Sequence, residues 1–307
     1  MKSQWVAIVN PAAGHGRCGR HASGVLAKLK ENGLLITERR TELAGHGTQL
    51  VRDAYRDGYR NFVAIGGDGT SFEVVNGLFP EAIGKERTPR LAILPLGTGN
   101  SFMRDFGVTD IESAMKLFKD GSPKEVDIVR CVHNKGELFY INILSVGFSA
   151  RVGDLTNRRF KRFGSKGYIF ALVACLLRLK QQRFPYVLED GPLHDKSLTM
   201  LSFCNSRFTG GTMMMAPMAD VFDGRLDVVA LKPVGRVQIL KDLSLIFKGS
   251  HIDLEEVECG GGSRVDFKMS EPVPVMVDGE IQLLTLRALE VVPHCLEVLL
   301  PIQSSVK

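Results

Sequence analysis

The 307-residue chain has no close pair of cysteines: Cys18, Cys131, Cys175, Cys204, Cys259 and Cys295 are scattered, and no CxxC occurs. This excludes a zinc ribbon or dithiol motif built on local spacing, and a reducing compartment fits. Long apolar runs are also missing. The longest, Tyr168–Leu177, stops at Arg178, whereas a spanning helix needs about 20 residues. The start, Met1-Lys2-Ser3-Gln4-Trp5, enters a strand-like segment with no signal-peptide pattern. No repeat and no low-complexity tract is visible. The expectation is a cytoplasmic protein that can attach peripherally to a membrane.

What is present is a globular composition, 44% hydrophobic and 24% charged. The length suits two domains, each with its own core. The net charge of +5 permits attraction to anionic surfaces without identifying one.

The first third alternates short apolar runs with helical patterns. Strands are expected at Trp5–Val9, Leu34–Arg40, Phe62–Ile65 and Leu91–Leu94. Helices are expected at His21–Glu31, Thr48–Asp57 (with Thr48 as N-cap), Ser71–Leu78, Ser101–Phe106 and Ile111–Lys119. That alternation predicts a parallel sheet between helices. Beyond Asp120-Gly121-Ser122-Pro123 strands dominate: Glu125–Val132, Leu138–Ser145, Leu198–Ser202, Leu226–Leu231, Arg264–Lys268, Val273–Val277 and Leu284–Val292. Two helical segments, Tyr168–Arg178 and Val237–Phe247, interrupt them. The fold class is thus an α/β N-terminal domain, 1–124, followed by a β-rich domain, 125–295. Residues 296–307 are expected to rejoin the first domain.

Three glycine loops directly follow three of the expected parallel strands: Asn10–Gly16, Gly66-Gly67-Asp68-Gly69-Thr70 and Pro95-Leu96-Gly97-Thr98-Gly99-Asn100. Ligands of such sheets bind outside the carboxyl ends of the strands. Glycines let the backbone approach a phosphate, and the following helix N-termini offer free N–H groups. No loop is a Walker A motif, since no GK[ST] follows, and none is GxGxxG. One glycine loop alone would be an ordinary turn; three in register predict a nucleotide-phosphate site. Asp68 would repel phosphate unless a cation lay between them, and Mg²⁺ suits that role. The alternative is an Asx-turn or a helix cap. Asp220 and Asp223, three apart on a tight loop, could share a hard cation or form a solvated turn. Asp278-Gly279-Glu280 follows a strand and by itself reads as a hairpin turn.

Taken together, Asn10-Pro11 with Gly14, Gly66–Thr70, Leu94–Asn100, Ala216-Pro217 with Ala219-Asp220 and Asp223-Gly224, and Asp278-Gly279-Glu280 resemble the diacylglycerol kinase catalytic family. That family includes soluble bacterial diacylglycerol kinases, sphingosine kinases and ceramide kinases. The resemblance implies a phosphofructokinase-like first domain, a sandwich-like lipid domain, and ATP held between them. It implies nucleotide contacts at Asn10, Pro11, Gly14, Thr41, Gly66, Gly67, Asp68, Gly69, Thr70, Gly97, Thr98, Gly99 and Asn100. It makes Asp278 the general base with Glu280 beside it, and places Asp68 on a catalytic Mg²⁺. It assigns Asp220, Asp223 and the carbonyl of Arg225 to a second Mg²⁺, and Asp127 to the catalytic metal–water network. Ser101 departs from the pattern, because the soluble bacterial members usually carry Asp there.

The partner expected from this resemblance is a membrane lipid bearing a hydroxyl, such as diacylglycerol or a long-chain base. Arg151, Arg158, Arg159, Lys161, Arg162 and Lys166, interleaved with Phe160 and Phe163, suit an anionic bilayer surface; a solvated charged helix is the plainer reading. Met213-Met214-Met215 fits either core packing or an adaptable acyl-chain wall. His15 and His46 lie near the glycine loops as possible phosphate-side donors. No nucleic-acid motif accompanies the basic residues. Assembly is left open, with a homodimer among the partner expectations. A kinase for a soluble acceptor, of the NAD kinase or phosphofructokinase kind, and a non-catalytic nucleotide or lipid sensor are the competing readings.

Overall fold

The computed structural model describes residues 4–156, 171, 174–177 and 179–302. The chain divides into two compact units, Met1–Ile128 with Pro293–Lys307, and Val129–Val292. Both divisions fall inside strands, β5 (Gly121–His133) and the last strand, Leu286–Pro301.

The first unit is built on β1 (Gln4–Val9), β2 (Leu35–Arg40), β3 (Asn61–Gly66) and β4 (Arg90–Pro95). The sheet order is last strand, β4, β3, β1, β2, and every pairing is parallel. The chain therefore leaves β1 for β2 on one flank and later takes up β3 on the other. Such a reversal marks the crevice where open α/β sheets bind ligands. The central strands are buried along nearly their whole length, which is why they read as continuous apolar runs. Edge strand β2 instead carries Glu38, Arg39 and Arg40, a charged edge that discourages further pairing.

Helix α1 (Arg17–Glu31) buries Cys18, Ala22, Val25, Leu26 and Leu29, the spacing of one helical face. Helix α2 (His46–Arg56) packs on α3 (Asp68–Leu78) at Gly77, where a Cβ would lie 2.7 Å from the Thr48 carbonyl oxygen. The expected cap at Thr48 is not the one used. The helix begins at His46, and the Glu73 carboxylate of α3 accepts the Gly45 and Gly47 amides at 2.7 Å each. Thr48 turns its hydroxyl to the Glu73 carbonyl instead. Short helix α4 (Ser101–Arg104) and α5 (Ile111–Asp120) complete the unit. The latter is capped by Asp110, whose side chain accepts the Ser113 amide.

The second unit contains a six-stranded antiparallel sheet. Its order is Val257–Gly262, Leu226–Leu231, Met200–Cys204, β7 (Ile143–Gly147), Val273–Val277 and Glu280–Leu284. A second antiparallel set pairs Leu193–His194, Tyr186–Leu188, Arg264–Phe267 and the start of the last strand. Phe203 joins the core edge-on to Tyr186 and Phe267, with centroids at 5.8 and 5.3 Å. Expected strand Leu138–Ser145 is in fact two, β6 (Gly136–Tyr140) and β7, broken at Ile141-Asn142. Helix α6 (Phe148–Leu155) leaves the end of β7. Expected helix Val237–Phe247 is a short helix, Arg236–Asp242, continued by a 3₁₀ turn, Leu243–Phe247. Most of expected helix Tyr168–Arg178 lies outside the described residues.

Candidate active site

In the first unit the ends of β1, β3 and β4 are stitched together by backbone hydrogen bonds. The Asn10 amide donates to the Ile65 carbonyl at 3.1 Å, and the Leu96 and Gly97 amides both donate to the Gly66 carbonyl, at 2.8 and 2.6 Å. The glycines are where the loops touch. A Cβ on Gly97 would collide with the backbone of Gly67, and one on Gly14 would lie 2.5 Å from the Leu96 carbonyl oxygen. Loop-to-loop packing thus explains Gly14, Gly67 and Gly97 before any ligand is invoked.

The touching loops leave a polar cavity of about 360 Å³. Five expected residues line it: Gly14, Gly97, Thr98, Gly99 and Asn100. His15, Arg17, Arg104 and Thr109 line it as well. Arg17 is held at the rim by its Nη2 donating to the Gly97 carbonyl at 2.5 Å. Among the described residues, buried Arg104 Nε and Asn100 Oδ1 have no hydrogen-bond partner. Asn100 adopts φ 54°, and its Nδ2 donates to the Gly97 carbonyl at 3.1 Å. Two guanidiniums, backbone amides and an orphaned donor fit an anionic, phosphate-bearing ligand. Sequence reasoning missed Arg17 and Arg104: each lies within one helical turn of a glycine loop, but that position alone does not single them out among the arginines.

The other expected nucleotide residues are not in the lining of this cavity. Ala12 donates its amide to Asn10 Oδ1 at 3.1 Å, and the Pro11 carbonyl accepts the Gly19 amide at 3.1 Å. Thr41, 9% exposed, closes the end of β2 by donating its amide to the Val9 carbonyl. Gly66, Gly67 and Gly69 carry the turn into α3, and Thr70 is buried in its first turn. His46, the first residue of α2, accepts the Glu42 amide on Nδ1.

Asp68 does not cap its own helix. It is the first residue of α3, and its carboxylate crosses to the next loop. Oδ1 accepts the Ser101 amide at 2.7 Å, and Oδ2 accepts the Ser101 hydroxyl at 3.1 Å. Burial pushes its pKa above the usual carboxylate value, against the pull of Ser101 and of the Asn100 and Phe102 amides. Among the described residues no three His, Cys, Asp or Glu side chains gather as a metal cage. Mg²⁺ commonly needs only one or two carboxylates when substrate phosphates complete its shell, and Asp68 fits that mode. Asp127 is fully buried in β5, and its Oδ1 accepts the His294 amide at 2.9 Å.

In the second unit Asp278 follows strand Val273–Val277 at φ 46° and is 4% exposed. Its Oδ2 accepts the Ile141 amide, and its Oδ1 accepts the amides of Asn142 and Ile143, all at 3.0 to 3.1 Å. These are the donors released where β6 breaks from β7. The carboxylate is thereby fixed in orientation. Glu280 is exposed at the start of the next strand. Asp220 and Asp223 are exposed, and each accepts the amide two residues on, from Phe222 and Arg225. Asp227, not anticipated from the sequence, is a third carboxylate here. Burial and the Asp223 charge push its pKa up to about 6.

The second unit also encloses a cavity of about 120 Å³ with mostly apolar walls. Phe148, Met200, Met213, Met215, Leu243 and Ile246 line it, so two of the three consecutive methionines face it. Of the basic stretch only Arg151 falls among the described residues; Arg158, Phe160, Lys166 and their neighbours lie outside them. No helix among the described residues is long and apolar enough to cross a membrane.

Comparison with known proteins agrees with this geometry. Residues 4–131 match the diacylglycerol kinase catalytic domain, and residues 142–300 match the YegS C-terminal NAD kinase beta sandwich-like domain. The diacylglycerol kinase of Mycobacterium tuberculosis is 31% identical over 96% of this chain and 94% of its own length. The diacylglycerol kinase of Bacillus subtilis is 27% identical, over 89% and 88%. A crystal structure of a diacylglycerol kinase from Bacillus anthracis superposes with TM-score 0.67 over 97% of both chains. At 21% identity that likeness speaks for the fold. The chain therefore belongs to the diacylglycerol kinase and YegS-like family of lipid kinases, and is itself a kinase with that family's fold.

Proposed function

We propose that the chain transfers the γ-phosphoryl group of ATP to a hydroxyl of a membrane lipid, diacylglycerol or a long-chain base. The loop cavity of the first unit supplies the phosphate-binding half of this reading. Arg17, Arg104 and the Thr98–Gly99 backbone would hold the polyphosphate by charge and by amide donors. Mg²⁺, when bound, would neutralise developing charge on the phosphates, with Asp68 as its protein ligand and Asp220 with Asp223 as a second, separate station. Asp278, oriented by three amides, would accept the hydroxyl proton. Those amides fix its orientation, which suits a transfer where positioning and charge do most of the work.

The observation that favours a lipid over a soluble acceptor is the apolar cavity of the second unit. Its predominantly methionine, leucine and phenylalanine walls suit an alkyl chain better than a soluble, highly charged acceptor. Peripheral attachment through the 151–166 region belongs to the same reading, because a lipid acceptor is met at a bilayer surface.

The test is transfer of labelled phosphate from ATP, with Mg²⁺, to mixed micelles of diacylglycerol, monoacylglycerol, sphingosine, ceramide or phosphatidylglycerol. Label in one lipid, reduced on Arg104→Gln at limiting ATP, supports the proposal and names the acceptor. Label in NAD and in none of the lipids overturns it in favour of a soluble acceptor.

A further inference from the structure

The apolar cavity of the second unit is not uniformly apolar. Thr209, Gln238, Asp242 and Glu256 also line it, and two further polar side chains in its wall are buried, Ser149 in the first turn of α6 and His251 in the 3₁₀ turn Ser250–Asp253. Both are 7% exposed. Among the described residues, neither Ser149 Oγ nor His251 Nδ1 has a hydrogen-bond partner. An unsatisfied buried polar atom is costly to leave without a partner. Two of them on one cavity wall call for a ligand or for ordered water.

The chemistry of His251 narrows the choice. Its Nε2 lies 3.1 Å from the Met215 carbonyl oxygen, which can only accept, so Nε2 carries the proton. In the neutral ring Nδ1 is then an acceptor and needs a donor. Burial holds the ring on the neutral side, lowering its pKa. An ester carbonyl or ether oxygen cannot serve Nδ1, because neither donates. A hydroxyl or an amide N–H can. Ser149 Oγ, able to donate and accept, can pair with the rest of the same polar group.

We infer that this cavity receives a segment of the acceptor lipid in which an alkyl chain adjoins an N–H or O–H donor, and that His251 and Ser149 read that donor. The inference rests on the lipid-acceptor reading and sharpens it. It selects amide-linked or hydroxylated chains over chains joined only by esters. The volume, about 120 Å³, suits such a short segment: an apolar cavity of about 150 Å³ accommodates benzene. A site built to bond a donor rejects the analogue lacking it far more strongly than a greasy slot rejects an extra methylene.

The experiment uses ligands that cannot be phosphorylated, so that it stands apart from catalysis. Calorimetric binding of N-hexylacetamide is compared with that of hexyl acetate, which differs by N–H for O. The full-length chain, Ser149→Ala and His251→Phe are measured, with thermal melting to verify each fold. The expected result is at least tenfold tighter binding of the amide by the parent chain, falling below twofold in both variants. Equal affinities, or tighter binding of the ester, overturn the inference, because the cavity is then a plain apolar slot or a water site. Absence of binding by either probe overturns it as well, leaving a packing void. If the amide preference holds while no lipid is labelled in the transfer assay, the kinase acceptor reading fails and the cavity's selectivity stands. A folding failure of His251→Phe leaves Ser149→Ala and the parent amide-to-ester ratio to decide.

Discussion

Asp68 and Ser101 are joined twice, by the Ser101 amide to Oδ1 at 2.7 Å and by the Ser101 hydroxyl to Oδ2 at 3.1 Å. This pair ties the loop after β3 to the loop after β4. An aspartate at 101 would set two carboxylates against each other, and only a cation between them would make that arrangement tolerable. Ser101→Asp is therefore expected to lower stability by about 1–3 kcal/mol without divalent cation, and to regain part of it when Mg²⁺ is added. Ser101→Ala should lose about 1 kcal/mol, with no response to Mg²⁺ beyond that of the parent. Urea unfolding with and without Mg²⁺ measures both. A Ser101→Asp variant as stable as the parent in EDTA would show that the Asp68–Ser101 latch contributes nothing.

Asp278, proposed as the base, also serves architecture. Its replacement by alanine leaves three buried amides, those of Ile141, Asn142 and Ile143, without their acceptor. We expect Asp278→Ala to cost about 3 kcal/mol or more, besides abolishing transfer. Melting temperature and turnover must therefore be read together. A variant that melts like the parent but has lost turnover would mean that only the chemical role is real.

The sheet of the first unit was legible because parallel strands buried on both faces read as unbroken apolar runs, as in Phe62–Ile65. The same rule misled at Leu138–Ser145. There the apolar run continues through Ile141 while the strand breaks, and the cause, Asp278, lies 136 residues from Asn142. The cap of α2 was misplaced for a like reason: Glu73 reaches it from another helix. Motif residues Gly97–Asn100 proved to line a cavity. Arg17 and Arg104 supply its charge yet stand outside the glycine motifs, and no local pattern ranks one arginine above another.

The contact between Gly67 and Gly97 predicts a sharp size limit. Gly97→Ala would drive a methyl into the Gly67 backbone, which has no flexible side chain to move aside. The expected outcome is about 1–3 kcal/mol of destabilisation and at least tenfold weaker ATP binding. Gly24→Ala in α1, where an added Cβ meets nothing within 4 Å, is the control and should be neutral or slightly stabilising. Unchanged ATP affinity in Gly97→Ala would remove this loop from the nucleotide site.

Arg104 offers a buried, unpartnered Nε beside the loop cavity. Arg104→Gln is expected to weaken ATP binding about tenfold, the worth of one charge-assisted hydrogen bond. Because Arg104 would contact phosphate, adenosine should bind the variant and the parent alike. Calorimetry with the two ligands separates these expectations. Equal loss for adenosine would place Arg104 in the architecture of the loop and not in phosphate recognition.

His251 gives the second unit a pH dependence of definite sign. Burial lowers its pKa below the usual histidine value, while the Met215 carbonyl and Asp253 partly oppose that shift. Asp242 and Glu256 also line the cavity. Below about pH 6.5 the unfolded chain takes up a proton that folded His251 resists. Stability from this group is thus complete above that pH and is lost as pH falls toward the folded value. Asp227, pushed up to about 6, titrates with the opposite sign, so variant must be compared with parent. The parent-minus-His251→Phe difference in unfolding free energy should be larger at pH 7.5 than at pH 5.5. If the difference is the same at both pH values, the ring does not sit neutral against the cavity, and the donor-reading role assigned to Nδ1 loses its basis.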